Sequence, residues 1–351
     1  MKGRITLSAL GIGLMVAVFL FTGCSSDKTE PKSGLVKEIA DSIGSAFVQN
    51  VLETALVQNV SAVDTVIGEA PEGAVTDIAD MVIAGPKMYA VFDGGVIVYD
   101  FLNKETDIIR VDDRLEAITA HEDKIYVGGS DLYTVNDNSL EKVEEQFEGT
   151  VTSLYSYGFR LMVGTTTGLY STGVFGRELL FDDITVTALV SDESGIWVGT
   201  DGQGLYRWDG EEFHKRFLLR DSTLFDRVNT LAFNHQHLYV GTDNGLHIYD
   251  GGRWENLGTA DGLPSDVVRD IDASQWTVYI ATDAGVTSYF NGDFMPIDKL
   301  EDKNVSVVNF RKGRIIAGTD REGILYKTNN ILKTLVEPFE EAKESMISSI
   351  E

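Results

Sequence analysis

Three things are scarce in this chain: cysteine, histidine and positive charge. Its 351 residues include one cysteine, five histidines and 29 lysines and arginines against 55 aspartates and glutamates. A single cysteine, Cys24, rules out a disulfide framework and a thiolate metal site in anything folded after it. Of the histidines, His121, His214, His235, His237 and His247, only His235-Gln236-His237 sets two imidazoles on one side of a strand. That spacing suits a metal pair or an exposed hairpin. The formal charge of -26 repels nucleic acid and anionic lipid head groups, and favours a basic partner or a divalent cation unless it serves solubility alone. No Ser-His-Asp set can be placed by motif, and carboxylates are too numerous to nominate an acid–base pair. Gly94-Gly95 and Gly251-Gly252 stand in strand-turn contexts with no helix following, so they are not phosphate loops. The expectation is a protein that is not an enzyme.

What the chain has in quantity is glycine, 35 residues, and much of it is periodic. An aromatic-glycine phrase returns seven times: from Tyr89, Tyr126, Met162, Trp197, Tyr239, Tyr279 and Ile316. Its marker position is Val91, Gly128, Gly164, Gly199, Gly241, Ala281 and Gly318, in steps of 37, 36, 35, 42, 40 and 37 residues. This period predicts an all-β, seven-bladed β-propeller with one four-stranded sheet per repeat, over about 75–337. Each first strand starts on a V-x-x-L phrase: Val75-Ile78, Leu115-Ile118, Val151-Leu154, Val186-Leu189, Val228-Leu231, Val268-Ile271 and Val305-Val308. The aromatic-glycine phrase is the second strand and the apolar run after the turn is the third. Ile331–Val336 is the favoured fourth strand of blade seven, with Val63–Ile67 as the competing clasp.

The ends read differently. Lys2 and Arg4 precede an apolar run from Ile5 to Phe21, and Phe21-Thr22-Gly23-Cys24 follows. Small residues directly before the cysteine resemble a bacterial lipobox. The resemblance implies a signal peptide over 1–23, cleavage before Cys24 and a covalent lipid, such as palmitate, on its thiol; the competing reading is an uncleaved membrane anchor. Multiple acyl chains give stable anchoring where one does not. Ser25 after the cysteine implies export to the outer membrane in a two-membrane cell, with the folded part in the periplasm or on the surface. Residues 24–34 read as a tether of about 30 Å at most. Leu35, Ile39, Ile43, Phe47 and Val51 mark an amphipathic helix within a 35–74 segment, and Phe339, Ala342, Met346 and Ile350 mark a second over 338–351.

The stretch from Asp261 to Val268, followed by Tyr279-Ile280-Ala281-Thr282-Asp283-Ala284-Gly285-Val286, resembles the repeats of the two-component regulator propeller family. Val186–Trp208 and Val228–Tyr249 share the pattern. The resemblance implies an extracytoplasmic propeller, often the sensor half of a membrane kinase in that family. No segment here resembles a kinase, a phosphotransfer histidine or a spanning helix after the propeller, which implies the sensor's shape without its output.

Four sets of residues are candidate sites. The residue after each first-strand Val or Leu is polar: Thr76, Glu116, Thr152, Thr187, Asn229, Arg269 and Ser306. Such a column lines a channel or its mouth, where Glu116, Asn229 and Arg269 are the candidate ligand contacts. Asp93, Asp131, Asp201, Asp243, Asp283 and Asp320 follow the aromatic-glycine phrases. They would crown one mouth with carboxylates for calcium or a basic partner, or else serve as turn formers. Phe217, Leu218, Leu219 and Phe225 make the long loop from Phe213 to Arg227 apolar, a contact for a protein partner or a tuck into its own blade. Trp197, Trp208, Trp254 and Trp276 read as core packing rather than as a sugar-stacking platform. The leading expectation is a lipid-anchored, non-catalytic scaffold that binds a protein. The alternatives are small-molecule or glycan binding at the channel mouth, then a lyase or hydrolase in the central cavity.

Overall fold

A computed structural model describes residues 77–174, 176–216, 227–234, 237–274, 276–328 and 331–336. The signal segment, the tether, both end helices, Val63–Ile67, Val75, Thr76, His235, Phe217, Leu218, Leu219 and Phe225 lie outside them.

Where the repeat phrase places Val, Ile, Trp and Tyr in short alternating runs between Gly and Asp, the chain forms antiparallel strands. Blade one comprises β1 (Asp80–Ala84), β2 (Lys87–Asp100) and β3 (Glu105–Arg114). Blade two is β4 (Ala117–His121), β5 (Lys124–Gly128), β6 (Leu132–Asn136) and β7 (Ser139–Lys142). Blade three is β8 (Val151–Tyr157), β9 (Arg160–Thr165), β10 (Gly168–Gly173) and β11 (Glu178–Asp182). Blade four is β12 (Val186–Asp192), β13 (Gly195–Thr200), β14 (Leu205–Trp208) and β15 (Phe213–Arg216). Blade five is β16 (Val228–Phe233), β17 (Leu238–Thr242), β18 (Gly245–Tyr249) and β19 (Trp254–Leu257). Blade six is β20 (Val268–Ala273), β21 (Val278–Thr282), β22 (Gly285–Phe290) and β23 (Asp293–Glu301). Blade seven is β24 (Val305–Arg311), β25 (Arg314–Thr319), β26 (Ile324–Thr328) and β27 (Ile331–Val336). Each sheet runs first strand to last in chain order. The first strands neighbour one another around a ring, closing where β1 meets β24.

The middle run of blade one is folded double. At about 3.3 Å per residue a straight 14-residue strand would hold its ends more than 40 Å apart. Yet Phe101 N–H donates to the Pro86 carbonyl at 2.9 Å. The reversal falls at Asp93-Gly94, where Gly94 takes φ +88°. Blade one therefore has the four-stranded pattern of the other blades.

Burial peaks at the second strands and falls toward the rim. The second strands β13 and β17 are buried at every position, whereas the fourth strands β11 and β19 expose about every other residue. A sheet covered on both faces has no polar side to show, so the core is a set of seams between blades. One seam joins Ala188, Trp197 and Leu205 of blade four to Val228, Leu231, Leu238 and Val240 of blade five. The closing seam packs Ile78, Met88, Phe92 and Ile97 of blade one against Val307, Ile316, Ile324 and Val336 of blade seven. The fourth strand of blade seven is thus supplied by Ile331–Val336, as the sequence pattern favoured.

The marker glycine explains how the seams close. A Cβ placed on Gly128, Gly164, Gly199 or Gly241 would stand 2.5 Å from the Cγ1 of Val151, Val186, Val228 or Val268, the first-strand valine of the next blade. On Gly318 it would stand 2.7 Å from Ile78 Cγ2. This last contact corrects the register of blade one. Ile78, not Val75, holds the valine place, and the Ala79 N–H bonds the Val91 carbonyl at 2.9 Å just as Glu116 N–H bonds Gly128. The phrase Val75-Ile78 fitted V-x-x-L as well as Ile78-Met81 does, and only the contact across the ring separates them.

Two further readings change. The stretch from Phe213 to Arg227 is not all loop, because Phe213–Arg216 is β15, paired with β14 from Leu205↔Arg216 to Trp208↔Phe213. Trp197 and Trp208 are core residues, but Trp276 is 45% exposed.

Gly241→Ala would force Val268 and Thr230 apart and is expected to cost about 1–3 kcal/mol, lowering the melting temperature by several degrees in a thermal melt. Gly252→Ala, whose Cβ meets nothing nearer than 3.7 Å, is expected to leave it unchanged.

Candidate functional site

First strands pair on one edge only, with their second strand, so their other edge faces the axis with N–H and C=O groups to satisfy. Side chains meet that demand from the neighbouring blade. Thr152 Oγ1 donates to the Val186 carbonyl at 2.5 Å, Thr187 Oγ1 to Val228 at 2.5 Å, Asn229 Nδ2 to Val268 at 3.0 Å and Ser306 Oγ to Ile78 at 2.5 Å. The polar column is therefore largely a set of stitches across seams. Its blade-one member is Ala79, since Thr76 belongs to the discarded register.

Glu116, Asn229 and Arg269 have different surroundings. Glu116 is half-buried and paired with Arg114 Nε at 3.4 Å. Asn229 also donates to Asp243 Oδ1 at 2.7 Å. Arg269 is exposed and acts electrostatically on Asp320 of blade seven, whose carboxyl lies above its usual range through burial. The contacts found do not join these three residues in one pocket.

The turns between second and third strands lie against the blade-to-blade connections. Asp201 N–H bonds the Thr185 carbonyl at 2.9 Å, and Asp320 N–H bonds Asn304 at 3.3 Å. Threonine, not aspartate, closes these turns. Thr200, Thr242, Thr282 and Thr319 donate from Oγ1 to Gly204, Gly245, Gly285 and Gly323 at 2.6, 3.1, 2.9 and 2.8 Å. The carboxylates of Asp201, Asp243 and Asp283 consequently stand exposed, as does that of Asp93 in a turn without threonine. Asp131 is held by Lys142 Nζ at 2.5 Å and Asp320 by Asn304 Nδ2. The six acids fall one per blade, and among the described residues no three His, Cys, Asp or Glu side chains converge as a metal site. Of the pair His235 and His237, His235 lies outside the described residues.

The residues missed in the sequence are three half-buried aspartates on first strands. Asp80 accepts from Ile118 N–H of blade two at 2.9 Å and from Met81 N–H at 2.7 Å. Asp270 accepts from Val308 N–H of blade seven at 2.8 Å and from Thr230 Oγ1 of blade five at 3.1 Å. Asp272 accepts from Phe310 N–H at 2.6 Å. Each bonds the inner edge of the next blade round. Burial pushes Asp80 up to about 7 and Asp270 up to about 6, against the bonds they accept; Asp270 raises Asp80 further, and Asp272 raises Asp270. Asp272 is raised by burial as well. The alternation Asp270-Ile271-Asp272 in a strand otherwise due to be buried was the available signal.

No protein-family model matches the chain, and no curated protein matches it. Solved structures do. The WD40 β-propeller domain of Doa1 is similar at 16% identity and TM-score 0.57, covering 74% of this chain and 95% of that one. YCF48, solved bound to D1 peptide, is similar at 14% identity and TM-score 0.58, covering 77% and 98%. The extracellular domain of the one-component system BT4673 from B. thetaiotaomicron is similar at 20% identity and TM-score 0.50, covering 73% of this chain and 40% of that one. At these identities the likeness establishes the propeller fold.

A raised carboxyl pKa means that the folded state keeps a proton that the unfolded chain releases. The stabilisation from Asp80 and Asp270 is complete below about pH 4 and is lost as pH rises through about 6–7. Urea unfolding at pH 5, 6, 7 and 8 should show stability declining, by up to about 1.4 kcal/mol per pH unit per group. In Asp80→Asn the slope should flatten whatever its absolute stability; an unchanged slope would place the protonation elsewhere.

Proposed function

We propose that this chain is a lipid-anchored, non-catalytic display scaffold outside the cytoplasm that binds a protein partner through a face of its propeller. The observation that carries the reading is the stitched ring. With seam residues bonded to the main chain of the next blade, the exposed turn carboxylates Asp93, Asp201, Asp243 and Asp283 sit on a preorganised support. Binding from such a support costs less ordering entropy than binding from free loops. The chain charge of -26 selects a basic partner and speeds its approach. YCF48 is a propeller of similar fold bound to a peptide, and BT4673 lends the fold to an extracellular domain; both are consistent with the reading. The lipobox resemblance at Cys24 and the choice of outer membrane, periplasm or surface belong to the same proposal, as does kinship with the two-component regulator propellers. Tethering raises the effective concentration of whatever the ring displays.

A second reading has one observation in its favour. Arg269 is an exposed guanidinium that acts on Asp320 across the seam between blades six and seven, and it suits a small polar ligand or glycan there.

Crosslinking the lipidated protein in intact cells is expected to recover one stoichiometric protein. Its yield should fall in Asp201→Asn/Asp243→Asn/Asp283→Asn, and Cys24→Ser should release the chain from the membrane fraction. Recovery of no partner would overturn the scaffold reading. Thermal stabilisation by a small ligand, abolished in Arg269→Ala, would then establish the second reading, since ligand at 100 times its Kd adds about 2.7 kcal/mol.

A further inference from the structure

On the face opposite the turn carboxylates, the hairpins of blades five and six surround a groove of about 700 Å³, within the ordinary range of ligand sites. Its wall is aromatic: Tyr239, Trp254, Trp276, Tyr289 and Phe290. Trp254 is fixed by stacking on Tyr249, with ring centroids 4.8 Å apart and planes 26° apart. Tyr289 leans on Phe294 at 5.0 Å. Trp276, in the hairpin between β20 and β21, keeps 45% of its surface exposed, while Trp197 and Trp208 of the same chain are sunk in seams.

Charge decides what such a wall receives. Asp250 and Glu255 line the groove together with Arg253 and His237. Arg253 is matched by Asp250, whose carboxyl is held below its usual range by the N–H groups of Arg253 and Gly252 and then by the Arg253 charge. Glu255 remains, with Asp293 nearby. Both act electrostatically on the Tyr289 hydroxyl, which burial first of all pushes up to about 12, so two carboxylates face the aromatic wall beyond the one that matches Arg253. Aromatic faces attract cations through their quadrupole, and a guanidinium stacks on them with less dehydration than an ammonium while bonding a carboxylate at its edge.

We propose that this groove seats an arginine of a basic protein segment, its guanidinium over the Trp276 and Tyr289 rings and its edge on the Glu255 carboxylate. The proposal deepens the scaffold reading by assigning the partner's chemistry and moving one contact to the hairpin face.

Isothermal titration of the full-length protein at low salt with tetra-arginine, tetra-glutamate and cellotetraose tests it. Tetra-arginine alone is expected to bind. Trp276→Ala should weaken binding about tenfold or more and Glu255→Gln about fivefold, with melting temperatures unchanged because both side chains are exposed. The mouth variant Asp201→Asn/Asp243→Asn/Asp283→Asn separates the two faces, and a control, Glu105→Gln/Asp107→Asn, which removes two exposed carboxylates of blade one, should bind as the parent does. No binding of tetra-arginine would overturn the proposal. So would binding that survives Trp276→Ala but falls in the mouth variant, or a preference for cellotetraose. The scaffold reading is separable: a cellular partner crosslinked equally well by Trp276→Ala would leave it standing without the groove. Groove binding as expected with no cellular partner would remove the scaffold and leave the groove.

Discussion

The structure depends on one close approach repeated around a ring. A second-strand glycine leaves out its side chain so that the first-strand valine of the next blade can lie against its backbone. Where the pair is Gly318 and Ile78, the same contact joins the two ends of the propeller, 240 residues apart in sequence. No covalent clasp is needed, because the closing seam is as apolar as any other and Val336 of the last strand is buried within it. At roughly 1.5–3 kcal/mol per buried aliphatic side chain, a single seam supplies enough to hold the ring shut against the entropy of opening it.

Closing the ring creates a second demand. Seven first strands meet at the axis with one edge each unpaired, and buried N–H and C=O groups without partners are costly. The chain answers with donors from Thr152, Thr187, Asn229 and Ser306 and acceptors from Asp80, Asp270 and Asp272. Most of the polar residues nearest the axis, though not Glu116 and Arg269, are thereby committed to holding blades together. Recognition is left to what the ring holds outward: the turn carboxylates on one face and the aromatic groove of blades five and six on the other. The two faces differ in chemistry, hydrated carboxylates against partly exposed aromatic rings.

Much of the fold was legible in the sequence because a repeat is seven observations of one unit. The glycine marker, the strand order within a blade and the closing strand Ile331–Val336 were read from phrases that recur. Blade one was misread by three residues because Val75-Ile78 and Ile78-Met81 satisfy the same pattern, and a local pattern has no knowledge of Gly318. The turn aspartates were visible, but their neighbours' role was not: Thr200, Thr242 and Thr282 close the turns and leave Asp201, Asp243 and Asp283 exposed, while Thr319 closes a turn whose Asp320 is half-buried against Asn304. Asp80, Asp270 and Asp272 went unremarked, since an aspartate in a buried strand has meaning only once the next blade's N–H stands beside it.

The sequence by itself determined the number of blades, the strands within each and the acidity of the surface, because these follow from periodicity and composition. Tertiary structure alone decided which polar residues are stitches and which are free to bind, and that Trp276 stands exposed above a groove while Trp197 is buried. Residue type does not tell the two kinds apart. What separates them is the backbone or ring that the neighbouring blade brings within a few ångströms, and that partner lies about 40 residues away in one direction or across the closing seam in the other.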